Sequence, residues 1–309
     1  MVRYVALGKE SSFGSEASPT RYIDLARESI SQRHDWIVPE LASARWPKYA
    51  LKGPIRVEGS LDMYVRADNI GEILMGVMGA DNVKQPDPDN APNVYEHSFT
   101  VAESLPSYTI YVASEITGRK FLGCVVRRVE FTCAPGELLG ASVDFLGREE
   151  QSFTPGTPSW GEAPFFTFAD CEALVNDTPF KIKALSVRIE NDLVDDLYLL
   201  GDRKLAEIPV RTFNIEGRFD AVFSDRTWLD RFLNAEFVKL EFKFRGPEIE
   251  AGWTYEITFT IPRAILTTAG AHIDRRDLLV EGVEFRAVEE PSTSEKIGLV
   301  FLRNKESSY

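Results

Sequence analysis

Three histidines, three cysteines and many carboxylates are the residues here that could do chemistry, and their spacing argues against most of it. His34, His97 and His272 lie far apart in the chain and share no metal-binding spacing. Each reads as a surface or hydrogen-bonded side chain. Cys124, Cys133 and Cys171 are an odd set with no ligand spacing, which predicts buried free thiols in a reducing compartment. Asp87-Pro88-Asp89-Asn90 begins like a calcium loop. However, Pro92 stands where that loop turns on glycine, and Ser98 where a glutamate closes it. No nucleophile elbow, phosphate-binding loop, dinucleotide fingerprint or His-Glu-x-x-His occurs. The carboxylates are numerous enough to supply a glycosidase pair, and Trp160 offers a ring for stacking on a sugar or on a neighbouring subunit. Asn176-Asp177-Thr178 fits a glycosylation sequon, which carries no weight without a secretion signal. The expectation is a protein with no catalytic residue, metal or cofactor.

Composition narrows the classes further. With 309 residues, 44% of them hydrophobic, and 20 Phe, 10 Tyr and 5 Trp, the chain has core enough for about two domains. Its 48 acidic against 35 basic residues give a net charge of −13. Such a chain is poorly suited to gripping nucleic acid, which needs phosphate-neutralising Lys and Arg, while the charge leaves close passage of DNA without adhesion open. No apolar run approaches the roughly 18 residues of a membrane helix, so no membrane insertion by this chain is expected. The opening Met1-Val-Arg-Tyr-Val-Ala-Leu-Gly is too short an apolar stretch for a signal peptide. Use in the cytoplasm, or release by a route other than secretion, follows as the expectation.

Strand-type alternation dominates the elements that must position these residues. In 55–65, Ile55, Val57, Leu61, Met63 and Val65 alternate with Arg56, Glu58, Ser60 and Asp62. The same period marks 238–244 and 254–261. It also marks 125–131, where Arg127 breaks the apolar row. Two helices are expected: 69–78 capped by Asp68, and 226–233 capped by Ser224 or Asp225. Residues 22–31 fit a short helix or a strand equally. Loops are expected at 8–21, 79–94 and 147–164, with the last as the inter-domain boundary and the final Asn-Lys-Glu-Ser-Ser-Tyr frayed.

Self-similarity organises the chain. Glu58-Gly59-Ser60-Leu61-Asp62 has a counterpart in Glu216-Gly217-Arg218-Phe219-Asp220, and each precedes an expected helix. Tyr108–Val112 is matched with Tyr255–Phe259. Glu137-Leu138-Leu139 followed by Val143-Asp144-Phe145 is matched with Asp277-Leu278-Leu279 followed by Val283-Glu284-Phe285. Order is kept throughout. The fold expected is all-β with short helices: two tandem antiparallel sandwich or barrel domains, 1–160 and 161–309, each with one short helix.

Taken together, these residues resemble the tail tube proteins of long-tailed bacterial viruses. The resemblance is carried by Gly8-Lys9-Glu10 with Phe13-Gly14, and by Gly59-Ser60-Leu61-Asp62 leading into Ile73–Gly79. It continues in Tyr95–Phe99, Pro106–Ile110, Phe121–Cys124, Ala134–Leu139 and Leu185–Leu193. It implies a structural, non-enzymatic virion protein that polymerises into stacked rings around a channel for DNA. A chain holding two copies of the domain needs only three subunits per ring, a trimeric, pseudo-hexameric arrangement. The partners implied are further copies of the chain, tail tip or baseplate, tape measure and tail terminator proteins, with viral DNA passing unbound. The location implied is the virion tail, assembled in host cytoplasm. On this reading Glu58, Ser60, Asp62, Glu216, Arg218 and Asp220 are candidates to line the channel; the alternative places them on an outer wall. Lys9, Phe13, Pro86, Asp87, Pro88, Pro155, Trp160 and Tyr309 are candidates for contacts between subunits or rings. A carbohydrate- or host-surface-binding β-sandwich module, or a glycan hydrolase, are the other classes the sequence admits.

Overall fold

Period-two patterning with β-branched and aromatic residues favours extended backbone whose two faces see different solvents. The computed structural model follows this rule nearly throughout, and it describes residues 3–114, 117–222, 226–271, 280–293 and 297–309. The first half runs β1 (Tyr4–Lys9), β2 (Arg21–Ile23), β3 (Leu25–Glu28), β4 (Ser31–Ile37), β5 (Leu51–Tyr64) and helix α1 (Gly71–Met78). It continues with β6 (Gly79–Lys84), β7 (Tyr95–Val101), β8 (Tyr108–Ala113), β9 (Gly118–Cys133), β10 (Gly140–Gly147) and β11 (Glu149–Phe153). The second half holds β12 (Cys171–Val175), β13 (Thr178–Phe180), β14 (Ile182–Leu193), β15 (Val210–Val222) and helix α2 (Thr227–Leu233). After α2 come β16 (Val238–Glu250), β17 (Trp253–Ala271), β18 (Val280–Ala287) and β19 (Leu299–Asn304). The protein is all-β with short helices, and its strand pairings among the described residues are antiparallel.

One long layer crosses both halves in the order β3/β4, β5, β10, β9, β14, β15, β18, β17. Strands β9 and β17 are long enough to leave this layer and enter a second one. There, β2, β1, β8, β9 and β11 pair in the first half, and β13, β12, β16, β17 and β19 in the second. The hairpin β6–β7 from the first half extends the latter group by pairing with β19. The apolar faces meet in one core that runs through both halves, with Phe131 against Phe259 at 4.7 Å between ring centroids. Helix α1 buries Ile73, Leu74, Val77 and Met78 in it, and α2 inserts Trp228 against Phe219 at 4.9 Å.

The pairing registers recur down the chain. Leu61 faces Val143 and Gly59 faces Phe145; Phe219 faces Val283 and Gly217 faces Phe285. Arg127 is looped out between β9 and β10, since Asp144 faces Arg128 while Phe145 faces Val126. This β-bulge is why Arg127 interrupts the apolar row. Thr267 is looped out in the same way between Glu284–Thr268 and Phe285–Leu266. Breaks between Leu25 and Arg27 on β3, and between His34 and Trp36 on β4, have counterparts on β14 between Ile182 and Ala184 and between Asn191 and Leu193. The glycines of the two Glu-Gly motifs serve one purpose. A Cβ at Gly59 or Gly217 would strike the backbone carbonyl of Ser29 or Ser186 on the adjacent strand.

Several expectations need correction. Of the two alternatives for residues 22–31, the strand is the one formed. Asp68 does not cap α1: its carboxylate accepts the Ala163 amide at 3.0 Å, and Ile70 holds the cap position without a side-chain bond. The stretch 79–94 begins with β6, and 147–164 includes β11. Both are edge strands too polar to reveal themselves by burial pattern. Tyr108–Val112 and Tyr255–Phe259 are not equivalent. In pairing terms β8 matches β16, with Tyr108–Cys124 and Ile110–Phe121 mirrored by Val238–Ala264 and Leu240–Ile261. Alternation alone cannot tell one strand from the next. The chain end is tied down rather than frayed: Asn304 is buried and receives no solvent, and the Glu306 carbonyl lies 2.8 Å from His97 Nε2. The Tyr309 ring stacks edge-on to His97 at 4.8 Å. Ser224, Asp225, His272 and the 277–279 motif lie outside the described residues.

Glu72 at the start of α1 is buried, and burial pushes its carboxyl above the ordinary range, with Arg21 and Lys9 pulling only partly the other way. A raised folded-state value means its favourable contribution is complete below the unfolded value and is lost as pH rises through the folded one. Glu72→Gln is therefore expected to raise the melting temperature at pH 7 and leave it unchanged in acid, checked by circular-dichroism melts at both pH values. A variant less stable at pH 7 would reverse this account.

Candidate functional site

The face of the long layer that points away from the core is polar except where Val125 and Leu146 are covered by Leu205 and Ile208. Because side chains alternate, burying Ile55, Val57, Leu61 and Met63 forces Arg56, Glu58, Ser60 and Asp62 onto the other side of β5. Burying Ile215, Phe219 and Ala221 does the same for Glu216, Arg218 and Asp220 on β15. The six residues singled out in the sequence thus share one face of one sheet. Between the two sets lie Asp144 on β10, Arg128 and Glu130 on β9, and Arg188 on β14.

Many of these charges are laddered, with Asp144 opposite Arg128 and Glu130–Arg188–Glu216 alternating in sign across neighbouring strands. Arg128 reaches Asp144 at 2.5 Å, Arg188 reaches Glu130 at 3.0 Å and Glu216 at 3.2 Å, and Arg218 reaches Asp220 at 3.1 Å. Glu58 meets Arg33 at 3.1 Å, Ser142 donates to Asp62 at 2.7 Å, and Ser60 and Ser29 hydroxyls lie 3.0 Å apart. Opposite charges directly across strands stabilise a sheet face, whereas like charges would splay it. Partial burial works against ionising Glu130, but hydrogen bonds from Arg188 and Ser186 outweigh it and hold its carboxyl below the ordinary range. The same Glu130 contact raises Arg188. The interleaved arginines, unforeseen as members of this face, were visible in the sequence only as polar positions of alternating strands.

The layer has two open ends. Among the described residues, β3 and β4 pair only with β5, and the Ile265–Ala271 part of β17 pairs only with β18. An unpaired strand edge is a template for another chain.

The other candidates scatter around the periphery. Lys9 ends β1 and donates to the Tyr309 carbonyl at 3.1 Å. Phe13 sits half-buried with Val125, Leu146, Leu205 and Ile208. Pro86, Asp87 and Pro88 lie between β6 and β7, where the Asp87 carboxylate accepts the Asn90 amide at 3.1 Å. Pro155 is exposed, and Trp160 borders a polar cleft with Arg21, Arg66 and Asp68. Tyr309 is folded against its own chain. Glu10, beside Lys9, anchors the N-terminal segment: its buried carboxylate accepts from Ser107, Thr109, Gly14 and Gly123 at 2.7–2.9 Å.

His97 and the cysteines sit in packed settings. His97 is buried between the Asp81 carboxylate, at 2.8 Å, and the Glu306 carbonyl. His34 is exposed beside Gln32. Burial pushes the thiols up, Cys133 to about 11, Cys171 to about 12, and Cys124 well above its usual value. Cys124 and Cys133 are buried, Cys171 is half-buried, and all three are unbridged. No cluster of metal-ligating side chains occurs among the described residues, and no helix there is long and apolar enough to cross a membrane.

A layered antiparallel fold with a laddered polar face and open sheet edges fits a structural class of protein. The family model described as phage tail tube protein matches residues 2–287, nearly the whole chain, and the protein belongs to that family. No curated protein matches it.

Arg188→Ala leaves Glu130 and Glu216 without their cation where the two halves of the layer join. With solvent screening of these half-exposed groups allowed for, the expected cost is about 1 kcal/mol. Because Glu130 titrates below the ordinary range when folded, the cost fades as pH falls through that lowered value. A double-mutant cycle with Glu130→Ala at pH 7 and in acid measures it.

Proposed function

We propose that this chain carries two copies of one tube-forming fold, residues 1–160 and 161–309, and that three chains close each ring of a viral tail tube. The observation that carries the reading is the recurrence of pairing registers and bulges down the chain, strand for strand. Within the chain, Leu185–Glu190 of β14 pairs with Arg128–Cys133 of β9, so the first unit already holds the second as a neighbour in a ring would. Repeating that step makes the two open ends of the layer meet, and closure removes them. Stacking of rings is head-to-tail and grows a filament.

On this reading the polar face, with Glu58, Ser60, Asp62, Glu216, Arg218 and Asp220, lines the channel through which DNA leaves the virion. A polyanion slides best past a wall whose cations are each occupied by a fixed carboxylate. Free basic clusters would trap phosphate. Arg128, Arg188 and Arg218 of this face are paired with Asp144, Glu130, Glu216 and Asp220, and Arg286 donates to Asn214. The chain's partners are then its own copies and the other components of the tail, with assembly in the host cytoplasm.

Electron microscopy of the purified chain at high concentration tests the assembly: hollow tubes with a regular axial repeat are expected, and a dispersed monomer would contradict it. The wall is tested by exchanging Glu58, Asp62, Glu216 and Asp220 for lysine together. Tubes are expected to form while virions carrying them lose at least about tenfold in infectivity, as tight phosphate contacts would impose. Full infectivity would place these residues elsewhere.

A further inference from the structure

The segment between β14 and β15, residues 194–209, does not loop into solvent. It lies across the first half of the chain as a strap. The Ile55 amide donates to the Arg203 carbonyl at 2.8 Å, and the Tyr198 hydroxyl donates to the Ile55 carbonyl at 3.0 Å. Asp195 meets Arg56 at 3.4 Å, and Lys204 meets Glu149 at 2.5 Å. Leu193, Leu205 and Ile208 complete an apolar cluster with Val125 and Leu146. The strap ends along a groove formed by residues 103–107.

Among the described residues, the matching segment of the first half, between β4 and β5, is largely exposed. Register makes Trp36 the counterpart of Leu193, because Trp36 faces Lys52 just as Leu193 faces Val210, each after the same bulge. Leu193 is 5% exposed and Trp36 is 59% exposed. Trp46 and Tyr49 on the same arm are 69% and 59% exposed. Aromatic rings left in water at this density mark an interaction surface. The receiving surface has its counterpart too. Val125 corresponds to Ile265, and the groove at 103–107 corresponds to 233–237, which presents Leu233 at 63% and Phe237 at 51% exposure. The arm and this patch belong to opposite ends of the long layer.

We propose that the occupant of the Leu233–Phe237–Ile265 patch is the arm, residues 36–51, of a second copy of this chain. In that seam β4 of the neighbour pairs antiparallel with the end of β17, Gln32 opposite Ala269, as Ile189 lies opposite Val129 within the chain. The seam between chains is the seam within the chain, repeated by the same geometric step. It exchanges the Glu130–Arg188 ion pair, whose positions fall to Gly270 and Ser31, for buried tryptophan and tyrosine. The inference rests on the ring reading above and adds to it the contact that closes the ring.

The test is the assembly of Trp46→Ser/Tyr49→Ser, with Leu200→Ser, an exposed position on the intrachain strap, as control. Since both rings are exposed in the single chain, the variant is expected to melt like the parent. Its critical concentration for tube formation is expected to rise at least tenfold, with the control unchanged. Oxidation of Gln32→Cys/Ala269→Cys tubes is expected to give covalent trimers. Unchanged assembly of the arm variant, with no cross-link, overturns the seam while leaving the tube reading intact. Single rings that form normally but no longer stack assign the arm to contacts between rings and also overturn the seam. A parent chain that never assembles overturns both readings.

Discussion

Unsatisfied backbone amides and carbonyls at a sheet edge are the constraint on which this structure turns. A sheet with one apolar face must cover that face, and the two layers do so with a common core. The edges are a separate demand, since every strand at an open end presents donors and acceptors that only another strand, a covering loop or water can occupy. Between β9 and β14 the chain meets this demand internally, with six consecutive residue pairs in register from Leu185–Cys133 to Glu190–Arg128. The strap at 194–209 then seals the joint with apolar side chains and ion pairs. At β3/β4 and the end of β17 the same strand geometry stands open. A joint made once within the chain and left open at its two ends is the signature of a unit built to be repeated.

The laddered face follows from the same alternation. Each strand that gives its apolar residues to the core gives its polar ones to the opposite side, and cross-strand neighbours of opposite sign hold that side flat without a second layer over it. The acidic surplus of the chain is therefore not displayed as bare carboxylates along this face. It is partly spent on arginines, which keeps this face polar and largely paired. An electrically quiet surface also matches the chemistry elsewhere in the molecule, where thiols are pushed up by burial and His97 is locked between two hydrogen bonds.

Much of the fold was legible from residue order because burial imposes period two wherever one side of a strand is covered. Residues 55–65, 238–244 and 254–261 declared themselves in this way, and the Glu-Gly motifs marked positions where strands approach too closely for a Cβ. What stayed hidden has physical reasons. Edge strands such as β6 and β11 bury little and so carry no alternation. A bulge shifts the phase of a strand, so Arg127 read as a defect rather than a feature. Asp68 looked like a helix cap because caps are local, whereas its partner Ala163 comes from far along the chain. Tyr108 and Tyr255 were matched by pattern, but pairing register is a property of two strands and no single strand encodes it. Of the site, the placement of the six polar candidates on one face followed from alternation alone. The interleaved arginines and the exposed aromatic arm required three-dimensional neighbours to be recognised.

One geometric step relates the two halves of the chain, and on the proposed reading the same step is repeated between chains. The most direct measurement of it is the rotational symmetry of a ring, obtained by cryo-electron microscopy of tubes assembled from the purified chain. Three chains per ring, arranged with near six-fold repetition of the long layer and with the arm seated on the neighbour, is the predicted result. A ring of six chains, or a tube in which the ends of the long layer stay unpaired, would contradict it.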